Sequence, residues 1–428
     1  MKKILIITYY WPPAGGPGVQ RWLKFAKYLQ ELGIQPIVLT VNPKKATYPL
    51  RDESLVDEVS SEIQVYTTAT FEPFSAYKKA TGRGEVPFSG FANESDKPGP
   101  RQIIAKFIRG NFFLPDARRG WNKYALAKAE YLIKKFSINT IITTSPPHSS
   151  QLIGLRLKQK YGVKWLADFR DPWTDIYYYN ELYPTFIAKY FDKKMERSVL
   201  LNASYITTVS EDMKRLLGAK DEKIRASKIA VLPNGFDHSD FTDWESPSND
   251  SFTIVYGGTL THKYSVQTFL SVLDNLAEKG LKLKLVFAGN QDEIVQNQLA
   301  ALKFLTIEKL GYVSHAVALE NLKNADALFL AIPDLPENKG ILTGKLFEYL
   351  AAKRSIINIG PVDGDAAKTI ALANAGVTCD YKDVVAIERA ITECYEMWQA
   401  KKTREFNDAY IAKFSRKALT DQLAALIS

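Results

Sequence analysis

A helix that begins at Thr343-Gly344-Lys345 and carries Glu348 one turn later has the residue types needed to hold a phosphate and a sugar diol. Amides at a helix N-terminus, set beyond the carboxyl end of a parallel strand, form an anion site. Here the amides of Thr343 and Gly344 would face the anion, and Gly344 has no side chain to block its approach. Lys345 adds a cation beside them. The Glu348 carboxylate can accept two hydrogen bonds from a vicinal diol such as a ribose. A solvated glutamate favoured by the helix dipole is the plainer reading, and the residue alone does not decide.

Two further stretches carry chemistry-bearing residues. In Asp168-Phe169-Arg170-Asp171, two carboxylates flank an arginine where a strand ends, which suits polar chemistry; an Arg–Asp structural pair is the alternative. Arginine cannot act as a base, so Asp168 or Asp171 would serve. Near the start, Trp11-Pro12-Pro13-Ala14-Gly15-Gly16-Pro17-Gly18 offers backbone approach to a ligand through Gly15, Gly16 and Gly18, or simply a tight turn. Arg21 stands where a dinucleotide fingerprint needs its third glycine, which weighs against a nicotinamide cofactor. His148, after the strand Thr140–Thr144, reads equally as a ligand contact or a loop histidine.

The elements that must position these residues alternate between strand and helix. Lys3–Thr8, Gln35–Val41, Ile63–Thr68, Thr140–Thr144, Val163–Ala167, Tyr205–Val209 and Ile229–Leu232 read as strands. After a polar, turn-rich linker at 238–251 come Phe252–Tyr256, Lys282–Ala288, Ala327–Ile332 and Ser355–Ile359. Their apolar runs are continuous, as expected of parallel strands covered on both faces. The pattern predicts an α/β chain of two doubly wound, Rossmann-like domains. Residues 71–114 break it, with prolines, recurrent aromatics (Phe71, Phe74, Tyr77, Phe88, Phe91, Phe107) and basic residues such as Arg101, Lys106 and Arg109. This reads as a functional, membrane-facing insertion on the acceptor side.

A chain of 428 residues has room for two cores. Two cysteines exclude a disulfide framework, four scattered histidines make no zinc site, and no apolar run is long enough to span a bilayer. The short apolar start, running into Pro12-Pro13, predicts a first strand rather than a signal peptide, and the two cysteines fit a reducing cytoplasm. The net charge of +9 is uneven: residues 1–200 hold 30 Lys and Arg against 18 Asp and Glu, the remainder 26 against 29. Such asymmetry points to an anionic partner for the first half, or to solvated helix faces. No nucleic-acid-binding module is recognisable, so none is expected to bind.

Lys345-Leu346-Phe347-Glu348-Tyr349-Leu350-Ala351-Ala352 resembles the "K-L-x-E-Y-L-A" form of the signature of family-4 glycosyltransferases with the GT-B fold, of the bacterial surface-polysaccharide type. The likeness extends to "T-V-S-E" at 208–211 and "P-N-G-x-D" at 233–237. It implies two Rossmann-like domains facing across a cleft: residues 1–238, with a C-terminal helix at 405–428 crossing back, and a donor-binding domain at 251–404. Glu348 would bind the donor ribose, although Gly340 stands where that family carries a first glutamate. Gly15, Gly16 and Gly18 would face the donor diphosphate and the acceptor. After the strand ending at Gly257, Gly258 and Lys263 would stand near the two phosphates, with Thr259 where the family has arginine. Lys345 would supply the charge instead, and Tyr312 would lie at the base-binding edge. Arg170 falls where the family often has a histidine. Asp363-Gly364-Asp365 spells the D-x-D of metal-dependent transferases but reads here as a helix cap, and no metal or other cofactor is expected.

The resemblance thus implies a hexosyltransferase. It would pass a sugar, with retention, from a nucleoside diphosphate sugar to a hydroxyl of a glycan or lipid-linked acceptor in capsule, O-antigen or exopolysaccharide assembly. It would work in the cytoplasm, in peripheral contact with the inner face of the membrane through the basic N-terminal half. Two other readings stay open: a sugar-nucleotide epimerase on the same fold, and a non-catalytic nucleotide-sugar-binding subunit, which the missing first glutamate motivates.

Overall fold

The computed structural model describes residues 1–72, 99–241 and 247–428. The centre of the aromatic insertion, with Phe74, Tyr77, Phe88 and Phe91, and linker residues 242–246 lie outside the described residues. The chain divides into two compact units, Met1–Asn234 with Leu419–Ser428, and Gly235–Ala418.

The first unit is built on a seven-stranded parallel sheet in the order β3-β2-β1-β4-β5-β6-β7. Its strands are β1 (Lys2–Ile7), β2 (Ile34–Val41), β3 (Gln64–Thr68), β4 (Thr140–Ser145), β5 (Lys164–Phe169), β6 (Tyr205–Thr208) and β7 (Ile229–Val231). Successive strand residues face opposite sides. In β1, Ile4 and Ile6 pack with Trp22, Phe25 and Leu29 of the helix Pro17–Glu31, while Leu5 and Ile7 pack with Ala125, Ala129 and Leu132 of the helix Asn122–Phe136. Both faces are covered, which is why the apolar run is continuous.

The second unit has a six-stranded parallel sheet, β10-β9-β8-β11-β12-β13. It comprises β8 (Phe252–Gly257), β9 (Leu283–Ala288), β10 (Thr306–Gly311), β11 (Ala327–Ala331), β12 (Ser355–Ile359) and β13 (Gly376–Cys379). Ile254 and Tyr256 face Phe269 and Leu273 on one side, and Val255 faces Leu346 and Leu350 on the other.

The expected helix over 405–428 is interrupted. A short helix Asp408–Ile411 and a 3-10 turn Ala412–Phe414 precede the helix Arg416–Ile427. Phe236 N donates to Phe414 O at 3.1 Å and Arg416 N to Phe236 O at 2.8 Å, which ties this segment to the second unit. Only beyond it do Leu419, Leu423 and Ile427 join the core of the first.

In each sheet the order reverses once, between β1 and β4 and between β8 and β11. Loops leaving the carboxyl ends of such neighbours diverge to opposite faces and leave a crevice for a ligand. The loops carrying Gly15–Gly18 and His148 flank the first reversal; those carrying Gly258–Lys263 and Pro333–Thr343 flank the second.

Candidate active site

In the second unit, Thr343 is the N-cap of the helix Gly344–Ala352, and no side chain caps the exposed amides. Four N–H groups at such an end lack helical partners. The Thr343 hydroxyl oxygen is buried with no hydrogen-bond partner. Leu346, Phe347 and Leu350 bury one face in the core, which fixes the direction in which Lys345 and Glu348 project.

Lys345 Nζ donates to Tyr256 Oη at 2.8 Å and lies 4.2 Å from the centre of that ring. The phenol in turn donates to Thr259 O at 3.0 Å, so the lysine is oriented by a fixed partner. Burial pulls the Lys345 ammonium down to about 7, against the attraction of Glu348. Gly258 has φ +103°, and a Cβ there would lie 2.7 Å from Lys345 Cε, so glycine is what admits the lysine stem. The Gly258 amide itself donates to Ala288 O at 2.7 Å; its part is to make room rather than to offer an N–H.

Glu348 is half-buried. Burial raises its carboxyl, opposed by His315 and Arg416. His315 Nε2 lies 3.8 Å from Asp240 Oδ2, and this carboxylate, with Glu348 behind it, raises the imidazole above its ordinary value despite burial. Lys263 sits in the turn His262–Tyr264 after β8, and its carbonyl accepts from Asp334 N at 2.7 Å, joining the two loops of the reversal. Tyr312 follows the outermost strand β10 and is 74% exposed, without burial to orient it.

In the first unit the strand β5 runs through Phe169, two residues further than the apolar run suggests, and this decides the fate of Asp168. Asp168 is fully buried. Its carboxylate accepts from Arg21 Nη2 at 3.1 Å, Trp22 Nε1 at 2.9 Å, Thr144 Oγ1 at 2.7 Å and Thr207 Oγ1 at 2.9 Å. Both oxygens are occupied inside the sheet, and the buried ion pair joins Asp168 to Arg21 rather than to Arg170. Asp171, past the strand end, is half-buried, and burial raises its carboxyl while Arg170 pulls it back.

Arg170 Nη2 donates to Pro146 O at 3.2 Å, and its Nε is buried without a partner. A Cβ at Gly18 would overlap the guanidinium, so the glycine loop and Arg170 form one surface. Gly16 caps the helix Pro17–Glu31 at φ 103°. The Gly15 amide donates to Leu50 O at 3.0 Å. His148 stacks on Trp173 at 5.1 Å between ring centres, and burial beside Arg170 lowers it to about 3, so it is neutral. Asp365 is the first residue of the helix Asp365–Leu372 with Gly364 as N-cap, and Asp363 pairs with Lys339.

Tyr256, His315 and Arg416 were not legible as site residues. Arg416 lies 68 positions beyond Glu348 in an unremarkable helix start, and Tyr256 reads as one more core aromatic.

No curated protein matches the chain by sequence. Residues 86–240 match the family model Glycosyltransferase Family 4. Among solved structures, a glycosyltransferase from Rickettsia africae is similar with TM-score 0.62 and 17% identity over 100% of this chain and 98% of that one. Anabaena HepE, solved with UDP, is similar with TM-score 0.62 and 12% identity over 99% of both chains. WaaB, a lipopolysaccharide outer core galactosyltransferase in its apo form, gives TM-score 0.57 and 14% identity over 99% of both. At these identities the likeness concerns the fold, and the fold is that of the GT-B glycosyltransferases.

Proposed function

We propose that this chain is a nucleotide-sugar-dependent glycosyltransferase. In this reading it is a hexosyltransferase that moves the sugar of a nucleoside diphosphate sugar, with retention, to a hydroxyl of a glycan or lipid-linked acceptor in surface-polysaccharide assembly. The observation that carries the reading is the pairing, on one uncapped helix end, of a half-buried lysine held against the Tyr256 hydroxyl with a half-buried glutamate one turn on. It is supported by the family match over 86–240 and by the like-folded HepE, solved with UDP and with UDP-glucose.

Departure of a diphosphate dianion dominates the barrier of such a transfer, and preorganised positive groups stabilise that charge as it develops. Lys345, Lys263 and the amides at Thr343 and Gly344 supply them here, with Glu348 on the ribose and no metal called upon. On the acceptor side Asp171, raised by burial, takes the hydroxyl proton unless the departing phosphate does so. Gly340, in the place of the resembled family's first glutamate, favours a second reading: a subunit that binds nucleotide sugar without turnover.

The test is a thermal-shift screen with nucleoside diphosphates, then their sugars, followed by a transfer assay. Stabilisation by one nucleoside diphosphate is expected, and Glu348→Ala should weaken its affinity about 10- to 100-fold, the value of charge-assisted hydrogen bonds, with the fold intact. Equal affinity in wild type and Glu348→Ala would remove the carboxylate from the site. Tight binding without transfer or hydrolysis would select the subunit reading.

A further inference from the structure

Glu348 stands among charged groups that come from three other segments of the second unit. Its helix, Gly344–Ala352, packs against both the 3-10 turn His238–Phe241 and the helix His315–Lys323. Asp240 lies in that turn, and its Oδ2 is 3.8 Å from Nε2 of His315, the first residue of the neighbouring helix. Both ends of this contact are held. Ser239 Oγ donates to Asp237 Oδ1 at 3.1 Å, and Phe241 packs edge-on against Phe236, which fixes the turn. Ser314 caps the helix of His315 by accepting from Val317 N at 3.4 Å. Arg416 is buried at the start of the helix Arg416–Ile427, with its amide bonded to Phe236 O.

The half-buried Glu348 carboxylate makes no hydrogen bond and no ion pair among the described residues. It is attracted at longer range by His315 and Arg416, with Asp240 and Lys345 further contributors. The charged groups facing His315 are, in turn, Asp240, Glu348 and Arg416. A carboxylate has about four acceptor sites. Cations at this range hold it ionised and oriented without occupying those sites, so two stay open to a ribose diol. An ion pair as exposed as Asp240–His315 adds little to stability, so stability does not account for its place beside Glu348.

We propose that His315 is a positioning residue for Glu348: backed by Asp240 and Arg416, it aims the carboxylate at both hydroxyls of the donor ribose and so sets a preference for ribonucleoside over 2′-deoxyribonucleoside diphosphates. The proposal rests on the nucleotide-sugar reading given above and adds to it a residue outside the signature. Asp240 first, and then Glu348, raises the imidazole above its ordinary value. His315 therefore carries its charge below that raised value and loses it as pH rises through it. The ribose preference must fall over the same interval.

The test is calorimetric titration of the full chain with UDP, GDP and ADP, each against its 2′-deoxy counterpart, between pH 6 and 9. The ratio of the two affinities isolates the ribose. Lys345 meets a diphosphate that both nucleotides share, so its titration cancels, as do those of the base and the phosphates. Wild type should favour the ribonucleotide about tenfold or more at pH 6, the worth of a hydrogen bond to a charged group, and less at pH 9. His315→Gln should lower the ratio about two- to fivefold at pH 6, the range of a partly exposed charge pair, and remove its pH dependence. His315→Arg, whose charge does not titrate, should hold the wild-type ratio across the whole interval. Asp240→Asn should move the fall to lower pH. A wild-type ratio near one, or a ratio that His315→Gln leaves unchanged, would overturn the proposal while nucleotide binding kept the transferase reading standing. Equal loss of both nucleotides in His315→Gln would also overturn it, by placing the residue on the base, the diphosphate or the fold. Binding of no nucleotide at all would overturn the transferase reading and this proposal together.

Discussion

If the Lys345 ammonium holds the donor diphosphate, nucleotide affinity must depend on pH through that one group. In the free protein burial has pulled it down to about 7, so about half of the molecules carry the charge at neutrality. A dianion beside it favours the charged form and returns its pKa toward the ordinary lysine range. Binding then takes up a proton, and apparent affinity follows the charged fraction of the free protein. That fraction falls from about one half at pH 7 to about one hundredth at pH 9, a loss of about 50-fold. Binding through the neutral amine sets a floor, because one charge-assisted hydrogen bond is worth about 10- to 150-fold. The terminal phosphate of UDP ionises at about pH 6 and its uracil ring ionises at the alkaline end, so the lysine's share is the difference between the wild-type and Lys345→Met profiles. Calorimetric titration with UDP between pH 6.5 and 9, in buffers of different ionisation enthalpy, should show uptake of about half a proton at pH 7, rising toward one. Lys345→Met keeps the methylene stem over the Tyr256 ring and should flatten the profile. A flat wild-type profile, or the same slope in Lys345→Met, would refute the assignment.

Two further substitutions separate structure from chemistry in the first unit. Asp168→Asn breaks a fully buried ion pair with Arg21, so it should destabilise by about 3–5 kcal/mol, lowering the melting temperature by roughly 10 °C; unchanged melting with lost transfer would place Asp168 among the catalytic residues. Asp171→Asn should reduce transfer by about 10²- to 10⁴-fold, the range of general base catalysis, with UDP affinity unchanged. Undiminished transfer would assign the proton to the departing phosphate.

The amino-acid order alone determined the fold class, because continuous apolar runs separated by amphipathic helices admit few arrangements other than doubly covered parallel sheets. It also determined the helix Gly344–Ala352 and its neighbouring strands β11 and β12, whose local pattern is strong. Tertiary structure decided what each polar residue does. Asp168 and Asp171 are equivalent on paper, yet β5 extends through Phe169, burying one in a four-donor network and leaving the other at the strand end. Gly258 looks like a phosphate-loop glycine, but its missing side chain is filled by the Lys345 stem from 87 positions away. Tyr256 and Arg416 became neighbours of the site only through packing. Local pattern sets which element forms, since helix and strand periods are properties of neighbouring residues. A carboxylate's solvation, and a lysine's charge, are set by groups that arrive from distant parts of the chain.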